Sequence, residues 1–356
     1  MNIPVVIPAY EPDERLVTLC DRFQKAGFQH VMLVDDGSGE AYEKVFLKAQ
    51  EAMSPDRCVR LTHAVNLGKG RALKTAFDYI LRTWPDAPAC ATADADGQHI
   101  PEDIEKCVKV FLSSNEHLIL GVRDFNGRNV PGKSVFGNKL TRRIMHYLCG
   151  VSVSDTQTGL RVIPADFMRR LLGVPGERFE FETNMLIYTK RNHVSIKEVP
   201  IHTIYDSKEE HSTHFRPIVD SIRIYKIFGR IFLRFVFSSL SSAVLDLMLF
   251  HLFCGIMKGM AMTVPYIIVA TVFARIISAF YNYLLNYKIV FHSEAPKLKS
   301  GMRYAVLALI QVCASALFVT MGARIMPYVQ EVWIKAFVDT ILFFISYGIQ
   351  RRFVFE

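Results

Sequence analysis

Residues 87–99 read A-P-A-C-A-T-A-D-A-D-G-Q-H, an apolar run that ends at Thr92 and is followed by two carboxylates and an amide. Such a run is typical of a buried strand, and polar residues directly after it lie in the loop at the strand's carboxyl end. Carboxylate and amide oxygens are the ligands that Mg²⁺ and Mn²⁺ prefer in proteins. We therefore predict that Asp94, Asp96 and Gln98 hold Mg²⁺ or Mn²⁺ bound to a diphosphate.

Two earlier apolar runs, at residues 3–8 and 30–34, have the same arrangement. Each is followed by polar or turn residues and then by a helical pattern, which predicts a parallel α/β sheet. The carboxyl ends of parallel strands meet at one edge of a sheet, where ligands bind. The loops at 9–11, 35–38 and 94–96 are therefore expected to converge there.

A glycine-rich segment, Gly68-Lys69-Gly70, precedes another helical pattern. Its backbone amides can face an anion at the helix N-terminus, or the segment can be a plain helix start. It lacks the Gly-Lys-Ser/Thr ending of a P-loop, which argues against a nucleoside triphosphatase.

Composition separates the 356 residues into two parts, because most acidic and turn-forming residues precede residue 216 and the remainder is apolar. The net charge of +8 is not arranged as one basic stripe with interleaved aromatics, which argues against nucleic acid as a partner and favours a negatively charged membrane surface.

The 7 cysteines form no Cys-x-x-Cys pair, which argues against disulfides and a zinc site. No signal-peptide pattern opens the sequence, so the first part is expected in the cytosol.

Four apolar segments fill the second part, each near the roughly 20 residues that a membrane-spanning helix needs. Basic residues precede the first segment, lie between the second and third, and follow the fourth, which predicts cytoplasmic termini. The sequence thus predicts a cytosolic domain at 1–213, a linker at 214–230 and a membrane domain at 231–356. The predicted spans are 231–256, 263–285, 304–325 and 332–349.

The linker at 214–230 carries apolar side chains at helical spacing with basic residues beside them. This pattern predicts an interfacial helix lying on the bilayer, with an ordinary core helix as the alternative. Inside the spans, Asp246, Arg275 and Asp339 each cost at least about 2.5 kcal/mol unless paired or hydrated, so we expect them to pair with one another. They then serve either as links between helices or as part of a path for a lipid-linked sugar.

Five motifs follow one another in the first part: VVIPAY at 5–10, VDDGS at 34–38, NLGKG at 66–70, DADGQ at 94–98 and DTQTGLR at 155–161. Taken in order, they make residues 1–225 resemble a family 2 glycosyltransferase of the GT-A fold, most like the dolichyl-phosphate mannose synthase and polyprenyl-phosphate sugar transferase branch. The membrane part resembles a GtrA-type domain. The resemblance implies an α/β GT-A (Rossmann-like) nucleotide-sugar domain followed by an all-α four-helix transmembrane domain.

The resemblance also implies roles for individual residues. The family has Asn-Glu where this chain has Glu11-Pro12, so either Glu11 or Asp13 takes the acidic role in the first loop. Arg123 resembles the contact to the lipid phosphate, with Lys133 and Ser134 as further candidates. The implied donor-binding residues are Pro8, Tyr10, Glu11, Asp36, Lys69, Asp94, Ala95, Asp96 and Arg216.

The implied catalytic residues are Asp96, Arg123 and Asp155. Asp155 orients the acceptor or acts as a weak base, because a phosphate monoester is already largely ionised at neutral pH. The run Phe179-Glu180-Phe181-Glu182 either contributes a carboxylate to the sugar pocket or is an acidic first helical turn.

We therefore expect a membrane-bound inverting glycosyltransferase that moves one sugar from a nucleotide sugar to polyprenyl phosphate at the cytoplasmic face of the plasma or inner membrane. A UDP-sugar is the preferred donor and a GDP-sugar such as GDP-mannose the alternative. A processive polysaccharide synthase is a second interpretation, although its Gln-x-x-Arg-Trp motif is absent. A flippase for lipid-linked sugar is a third, and assembly into a homo-oligomer stays open.

Overall fold

The computed structural model describes residues 3–114, 117–124, 132–202, 217–257 and 266–355, and the chain divides into two compact units, Met1–Ile227 and Phe228–Glu356. Arg216, a predicted donor-binding residue, lies outside the described residues. The side chains that are also outside the description are those of Pro55, Lys133, Ser134, Pro217, Ile218 and Val332.

The first unit alternates strands with helices, as the sequence pattern predicts. Its elements are β1 (Val5–Ala9), α1 (Glu14–Lys25), β2 (Val31–Asp35), α2 (Glu43–Met53), β3 (Cys58–Thr62), α3 (Lys69–Thr83), β4 (Ala89–Thr92), α4 (Pro101–Leu112), β5 (Leu118–Val122), α5 (Gly132–Cys149), β6 (Arg161–Pro164), α6 (Ala165–Leu171), α7 (Glu180–Arg191) and β7 (Ile196–Pro200).

Seven strands form one sheet in the order β3-β2-β1-β4-β6-β5-β7. The side chains of the central strands β1, β2 and β4 are almost entirely buried, because helices cover both faces of the sheet. Phe23 and Phe28, Phe46 and Phe111 pack with these strands in the main core. This core fixes the strand ends that carry the predicted ligand loops.

The prediction of a parallel sheet is wrong for one strand, since β6 runs antiparallel to both β4 and β5. Arg161, the first residue of β6, pairs with Thr92, the last residue of β4. The loop that precedes β6 therefore lies at the carboxyl end of β4. This reversal brings the segment 155–160 to the edge of the sheet that carries Asp94.

Three helices among the described residues are long and apolar enough to cross a membrane, over Val219–Met257, Tyr266–Val290 and Lys297–Ile325. The first belongs to α8 (Pro217–Met257), which continues without a break across the predicted boundary between linker and first span. The other helices are α9 (Tyr266–Leu285), α10 (Lys297–Ile325) and α11 (Glu331–Ile349). The fourth predicted span, 332–349, coincides with α11, and the number of spans stays a prediction.

The three charged residues inside the spans are not all paired with one another. Asp246 accepts a hydrogen bond from Ser278 at 2.8 Å and lies 3.2 Å from the Arg275 guanidinium, as predicted. Asp339 instead forms an ion pair with Lys335 at 2.8 Å and accepts a hydrogen bond from Ser315 at 2.6 Å. The prediction is wrong for Asp339, because each carboxylate finds its partner within its own pair of consecutive helices.

The pair α8–α9 and the pair α10–α11 are built alike. Ser242 Oγ of α8 donates to the Ser278 carbonyl of α9, and Gln311 Nε2 of α10 donates to the Leu342 carbonyl of α11. The second helix of each pair ends in a π-helical turn, Asn286–Val290 after α9 and Gln350–Val354 after α11. The turns and the residue after each read N-Y-K-I-V-F and Q-R-R-F-V-F. The two helix pairs therefore share an interhelical hydrogen bond to a carbonyl of the second helix and a π-helical turn at its end.

The equivalent residues of the two π-helical turns meet each other. Asn286 Nδ2 donates to Gln350 Oε1 at 2.9 Å, and Phe291 stacks on Phe355 with ring centroids 4.9 Å apart. Each amide also bonds one turn back in its own helix, Asn286 to Asn282 and Gln350 to Ser346. Contacts between equivalent residues are what a local two-fold relation between two helix pairs produces.

Candidate functional site

Four of the polar residues predicted for the site lie at one edge of the sheet. Asp36 follows β2, Asp94 follows β4 and Arg123 follows β5, while Asp155 precedes the antiparallel β6. The carboxyl ends of β2, β4 and β5 and the first residue of β6 therefore lie at the same edge. The pairing of Thr92, at the end of β4, with Arg161, at the start of β6, requires this arrangement.

Asp94 is held from several directions. Its Oδ1 accepts a hydrogen bond from Lys69 Nζ at 2.7 Å, and its backbone N–H donates to His99 Nδ1 at 3.0 Å. Gly159 lies directly against the carboxylate, so that a Cβ atom on Gly159 would clash with the oxygens of Asp94. Thr92 Oγ1 donates to the Gly159 carbonyl at 2.7 Å and keeps the two segments together. The position of this carboxylate is therefore fixed.

Lys69 belongs to a buried cluster of charges. Its Nζ is 3.0 Å from Glu182 Oε2 as well as 2.7 Å from Asp94. Glu182 in turn lies beside Arg161, whose Nη1 donates to the Glu182 carbonyl at 2.9 Å and whose Nη2 lies 3.9 Å from Glu182 Oε1. Arg161 is only 1% exposed, and burial lowers its pKa. These four side chains form a chain of alternating charge from the core to the site.

The pKa values of the two aspartates of the Asp-x-Asp motif are shifted in opposite directions. Burial raises the pKa of Asp94, but the charges of Lys69 and His99 lower it more strongly, so the net pKa is well below the ordinary value. For Asp96, burial raises the pKa and the neighbouring charge of Asp94 raises it further. The repulsion between the carboxylates is the condition that a bound divalent cation relieves.

The donor atoms of this motif suit Mg²⁺ or Mn²⁺. Gln98 donates its backbone N–H to Asp96 Oδ1 at 3.0 Å, which orients that carboxylate beside Asp94. Within the part of the chain that the structure describes, no three His, Cys, Asp or Glu side chains are grouped to hold a metal. Two carboxylates that leave positions for an amide oxygen, water and substrate phosphates are typical of Mg²⁺ sites in phosphate chemistry. The residues therefore fit a cation that binds together with a diphosphate.

Asp36 is buried and holds the loop that leads into α3. Its two carboxylate oxygens accept hydrogen bonds from the backbone N–H groups of Leu67 at 2.9 Å and Gly68 at 2.7 Å, and His63 Nδ1 lies 2.8 Å from Oδ1. Asp36 thus positions Lys69, the residue after Gly68. The predicted contact of Asp36 with the nucleotide stays a prediction.

In the first loop, the structure separates the two acidic candidates. Asp13 is the N-cap of α1 and accepts hydrogen bonds from the backbone N–H and the Nε of Arg15. Glu11 has a φ of 47° and donates its N–H to Ser38 Oγ at 2.9 Å. Asp13 is thus engaged in capping, and the acidic role in donor binding, for Glu11 or Asp13, stays a prediction. Pro8 lies in β1 opposite Val34, and Ala95 packs at the border of the main core.

Arg123 and Asp155 form a two-pronged ion pair. Arg123 Nε donates to Asp155 Oδ2 at 2.8 Å and Nη2 donates to Oδ1 at 3.2 Å. Asp155 is completely buried and also accepts a hydrogen bond from the Gln157 backbone N–H. Asn138 of α5 bonds to the backbone of Thr156 and so ties α5 to this loop. The geometry makes Asp155 an orienting group for Arg123. Lys133 and Ser134 lie in the first turn of α5.

The structure adds residues that the motifs alone did not single out. His99 contacts Asp94, Arg161 supports Glu182, and His63 braces Asp36. Arg161 stands in the quoted 155–161 motif, but only the register between β4 and β6 places it inside the charge cluster. Of the two interpretations of the run Phe179–Glu182, the acidic first helical turn is confirmed, since Glu180 and Glu182 lie in the first turn of α7. Glu182 is a buried carboxylate paired with Lys69, and its contribution to a sugar pocket stays a prediction.

Comparison with known proteins gives matches for both parts of the chain. Residues 5–167 match the family described as Glycosyl transferase family 2, and residues 231–355 match the GtrA/DPMS transmembrane domain. This second match and the three apolar helices indicate an integral membrane protein.

Individual relatives match somewhat more than half of the chain. An uncharacterized protein of Methanocaldococcus jannaschii is 32% identical over 208 residues, which cover 57% of this chain and 82% of that protein. The UDP-N-acetylglucosamine–dolichyl-phosphate N-acetylglucosaminyltransferase of Methanococcus voltae is 29% identical over 221 residues, which cover 57% of this chain and 86% of that protein. The dolichyl-phosphate beta-glucosyltransferase of Mus musculus is 24% identical over 227 residues, which cover 56% of this chain and 66% of that protein. The chain therefore belongs to glycosyl transferase family 2 and is a glycosyltransferase with an α/β GT-A domain and a GtrA/DPMS transmembrane domain.

Proposed function

We propose that this glycosyltransferase moves one sugar from a nucleoside diphosphate sugar to polyprenyl phosphate, with inversion at the anomeric carbon. The observation that carries the proposal is the location of the Asp94–Asp96 motif and the Arg123–Asp155 pair at one edge of the sheet. One set suits a diphosphate and the other a phosphate, and both belong to a chain with a transmembrane domain. The name of the Methanococcus voltae relative combines a UDP-sugar with dolichyl phosphate, and the name of the mouse relative gives dolichyl phosphate.

On the donor side, Asp94, Asp96 and Gln98 would hold the divalent cation, Mg²⁺ or Mn²⁺. When bound, the cation neutralises the diphosphate as it leaves. Lys69 adds a positive charge next to Asp94, and Asp36 holds the loop from which Lys69 projects. Glu11 faces the donor from the first loop, and Tyr10, Ala95 and Arg216 complete the proposed donor site. A UDP-sugar is the preferred donor, and a GDP-sugar is the alternative.

On the acceptor side, Arg123 binds the phosphate of the lipid in this proposal. Lys133 and Ser134 are further candidates for binding the same phosphate. A planar guanidinium suits a phosphate, and Asp155 keeps this one in a fixed orientation. The phosphate monoester needs no strong base, because its second pKa is about 6. One phosphate oxygen attacks the anomeric carbon while the bond to the leaving diphosphate breaks on the opposite face, which inverts the configuration.

The distribution of basic residues supports a cytoplasmic catalytic domain. Lys226 and Arg230 precede the apolar stretch of α8, Lys288 and Arg303 flank the connection between α9 and α10, and Arg352 follows α11. Such residues concentrate on the cytoplasmic side of membrane proteins. We propose that both termini lie there, where nucleotide sugars and the phosphate end of the lipid can reach one site.

A transfer assay tests the function. Membranes that contain the full chain are incubated with polyprenyl phosphate, Mg²⁺ or Mn²⁺ and a panel of labelled UDP- and GDP-sugars, and the label extracted into organic solvent is counted. We expect mild-acid-labile lipid label from one donor. A polymeric product would instead support a polysaccharide synthase. Lipid label from no donor, with folded protein, would contradict the proposal.

Replacing Arg123 separates acceptor binding from donor binding. Arg123→Ala is expected to lower kcat/KM for polyprenyl phosphate by about 10- to 100-fold, because a hydrogen bond to a charged group contributes about 1.5–3 kcal/mol. Titration with UDP should give the same dissociation constant as for the wild type.

The matched control is Arg82→Ala, since Arg82 is 77% exposed and pairs with Asp78 of the same helix. This variant should keep the wild-type kcat/KM for polyprenyl phosphate and the wild-type dissociation constant for UDP. An Arg123→Ala protein with unchanged acceptor kinetics would remove Arg123 from the acceptor site.

A further inference from the structure

We propose that Lys69 and the divalent cation compete for Asp94, and that the donor diphosphate relieves this competition by giving the Lys69 ammonium an anionic partner besides Asp94 and Glu182. Lys69 would then couple cation binding to nucleotide binding. The inference rests on the proposed function, and it assigns Lys69 a task beyond simple contact with the donor.

The contact that carries the inference is the 2.7 Å ion pair between Lys69 Nζ and Asp94 Oδ1. The ammonium therefore uses an oxygen of the carboxylate that the proposed cation also requires. Two cations drawn to one carboxylate repel each other, and the repulsion is strong where water does not screen it. The Lys69 side chain is 15% exposed, so screening by water is limited.

Lys69 is kept near Asp94 by a second carboxylate. Glu182 Oε2 lies 3.0 Å from Lys69 Nζ, and the Glu182 side chain is only 11% exposed. Arg161 fixes Glu182 through the hydrogen bond from Nη1 to its carbonyl and through Nη2, which lies 3.9 Å from Oε1. Glu182 and Arg161 are thus positioning residues that hold the ammonium at the cation site.

The charges of this cluster explain why the nucleotide should matter. The positive charges of Lys69 and Arg161 balance the negative charges of Asp94 and Glu182. The carboxylate of Asp96 is then the one negative charge among these five side chains that is not balanced. A divalent cation alone brings two positive charges against that one carboxylate. A diphosphate adds negative charge for the cation and for Lys69 together. Cation and nucleotide should therefore strengthen each other's binding, by the same factor in both directions.

The test measures Mn²⁺ binding by the full chain in detergent, from the electron paramagnetic resonance signal of free Mn²⁺, with and without UDP or GDP. For the wild type we expect the effective nucleotide to tighten Mn²⁺ binding within the range of about 5- to 150-fold that is typical of coupled sites. For Lys69→Met, Mn²⁺ alone should bind at least about fivefold more tightly, and the effect of the nucleotide should shrink by a similar factor.

Two further variants make the result specific. Glu182→Gln should weaken Mn²⁺ binding in the absence of nucleotide. Without the Glu182 carboxylate, Lys69 should pair more strongly with Asp94 and so compete more strongly with Mn²⁺. Lys109→Met is the matched control and should behave like the wild type, since Lys109 is 71% exposed and pairs with Glu105 on α4. If Lys69→Met does not fold, as judged by its thermal unfolding, Lys69→Gln takes its place.

The outcomes distinguish the inference from the function on which it rests. If Lys69→Met binds Mn²⁺ like the wild type, with the same nucleotide effect, the competition is overturned while the proposed transfer stands. If the wild type binds no Mn²⁺ with either nucleotide, the cation site of the proposed function is overturned.

Discussion

Asp94→Asn is expected to reduce sugar transfer by at least about 10²- to 10³-fold, the usual effect of losing one preorganised electrostatic group in an active site. The exchange keeps the shape of the side chain but removes a charge from the Asp-x-Asp motif, so the cation and the leaving diphosphate lose a partner. It also frees Lys69, which is 2.7 Å from Asp94 Oδ1. The measurement is the lipid-extractable label formed per unit of protein.

The control for this variant is Asp86→Asn, because Asp86 is exposed in the segment between α3 and β4. Asp86→Asn should retain wild-type activity. The Asp94 variant should remain folded by thermal unfolding, so that its loss of activity reports on chemistry. Full activity of Asp94→Asn with an unchanged metal requirement would remove the motif from the active site.

Gly159→Ala is expected to have the second-largest effect, although Gly159 carries no functional group. A Cβ atom at this position would clash with the Asp94 carboxylate. Thr92 Oγ1 bonds to the Gly159 carbonyl at 2.7 Å, so the backbone cannot easily retreat. The Asp94 side chain must therefore move, and a misplacement of about 1 Å at a reacting centre can cost about 100-fold in rate. We expect a loss of that order in kcat.

Overpacking also lowers stability, typically by about 1–3 kcal/mol, so the free energy of unfolding is measured beside the rate. Gly173→Ala is the control, because a Cβ atom there would meet its nearest neighbour, the Arg170 carbonyl oxygen, at an ordinary 3.9 Å. A Gly159→Ala enzyme with wild-type kcat would show that the approach of this glycine to Asp94 does not matter for transfer.

Polar residues of the membrane unit join the helices within each pair and the two pairs to each other. Asp246 with Ser278, and Asp339 with Ser315, each link the two helices of one pair. The pairs contact each other through Asn286 and Gln350 and through Phe291 and Phe355. Hydrogen bonds of this kind are a main source of specificity between helices in a bilayer, where burial of apolar surface contributes little.

The sequence by itself determined the class of fold, the location of the ligand loops and the apolar helices. These follow from local patterns, since a short β-branched run followed by polar residues specifies a strand and its loop. The Asp94–Gln98 motif, the Asp155–Arg161 segment and the spans of about 20 apolar residues were recognisable in this way.

Only the tertiary structure decided which of these residues act on one another. The reversed direction of β6 places Gly159 against Asp94 and Arg161 beside Glu182, and no local pattern specifies the direction of a strand. The same holds for Asp339, whose partner depends on how α10 packs on α11. Secondary structure is set by neighbours in sequence, whereas ion pairs such as Lys69 with Glu182 depend on packing between distant segments, and that packing fixes the geometry of the site.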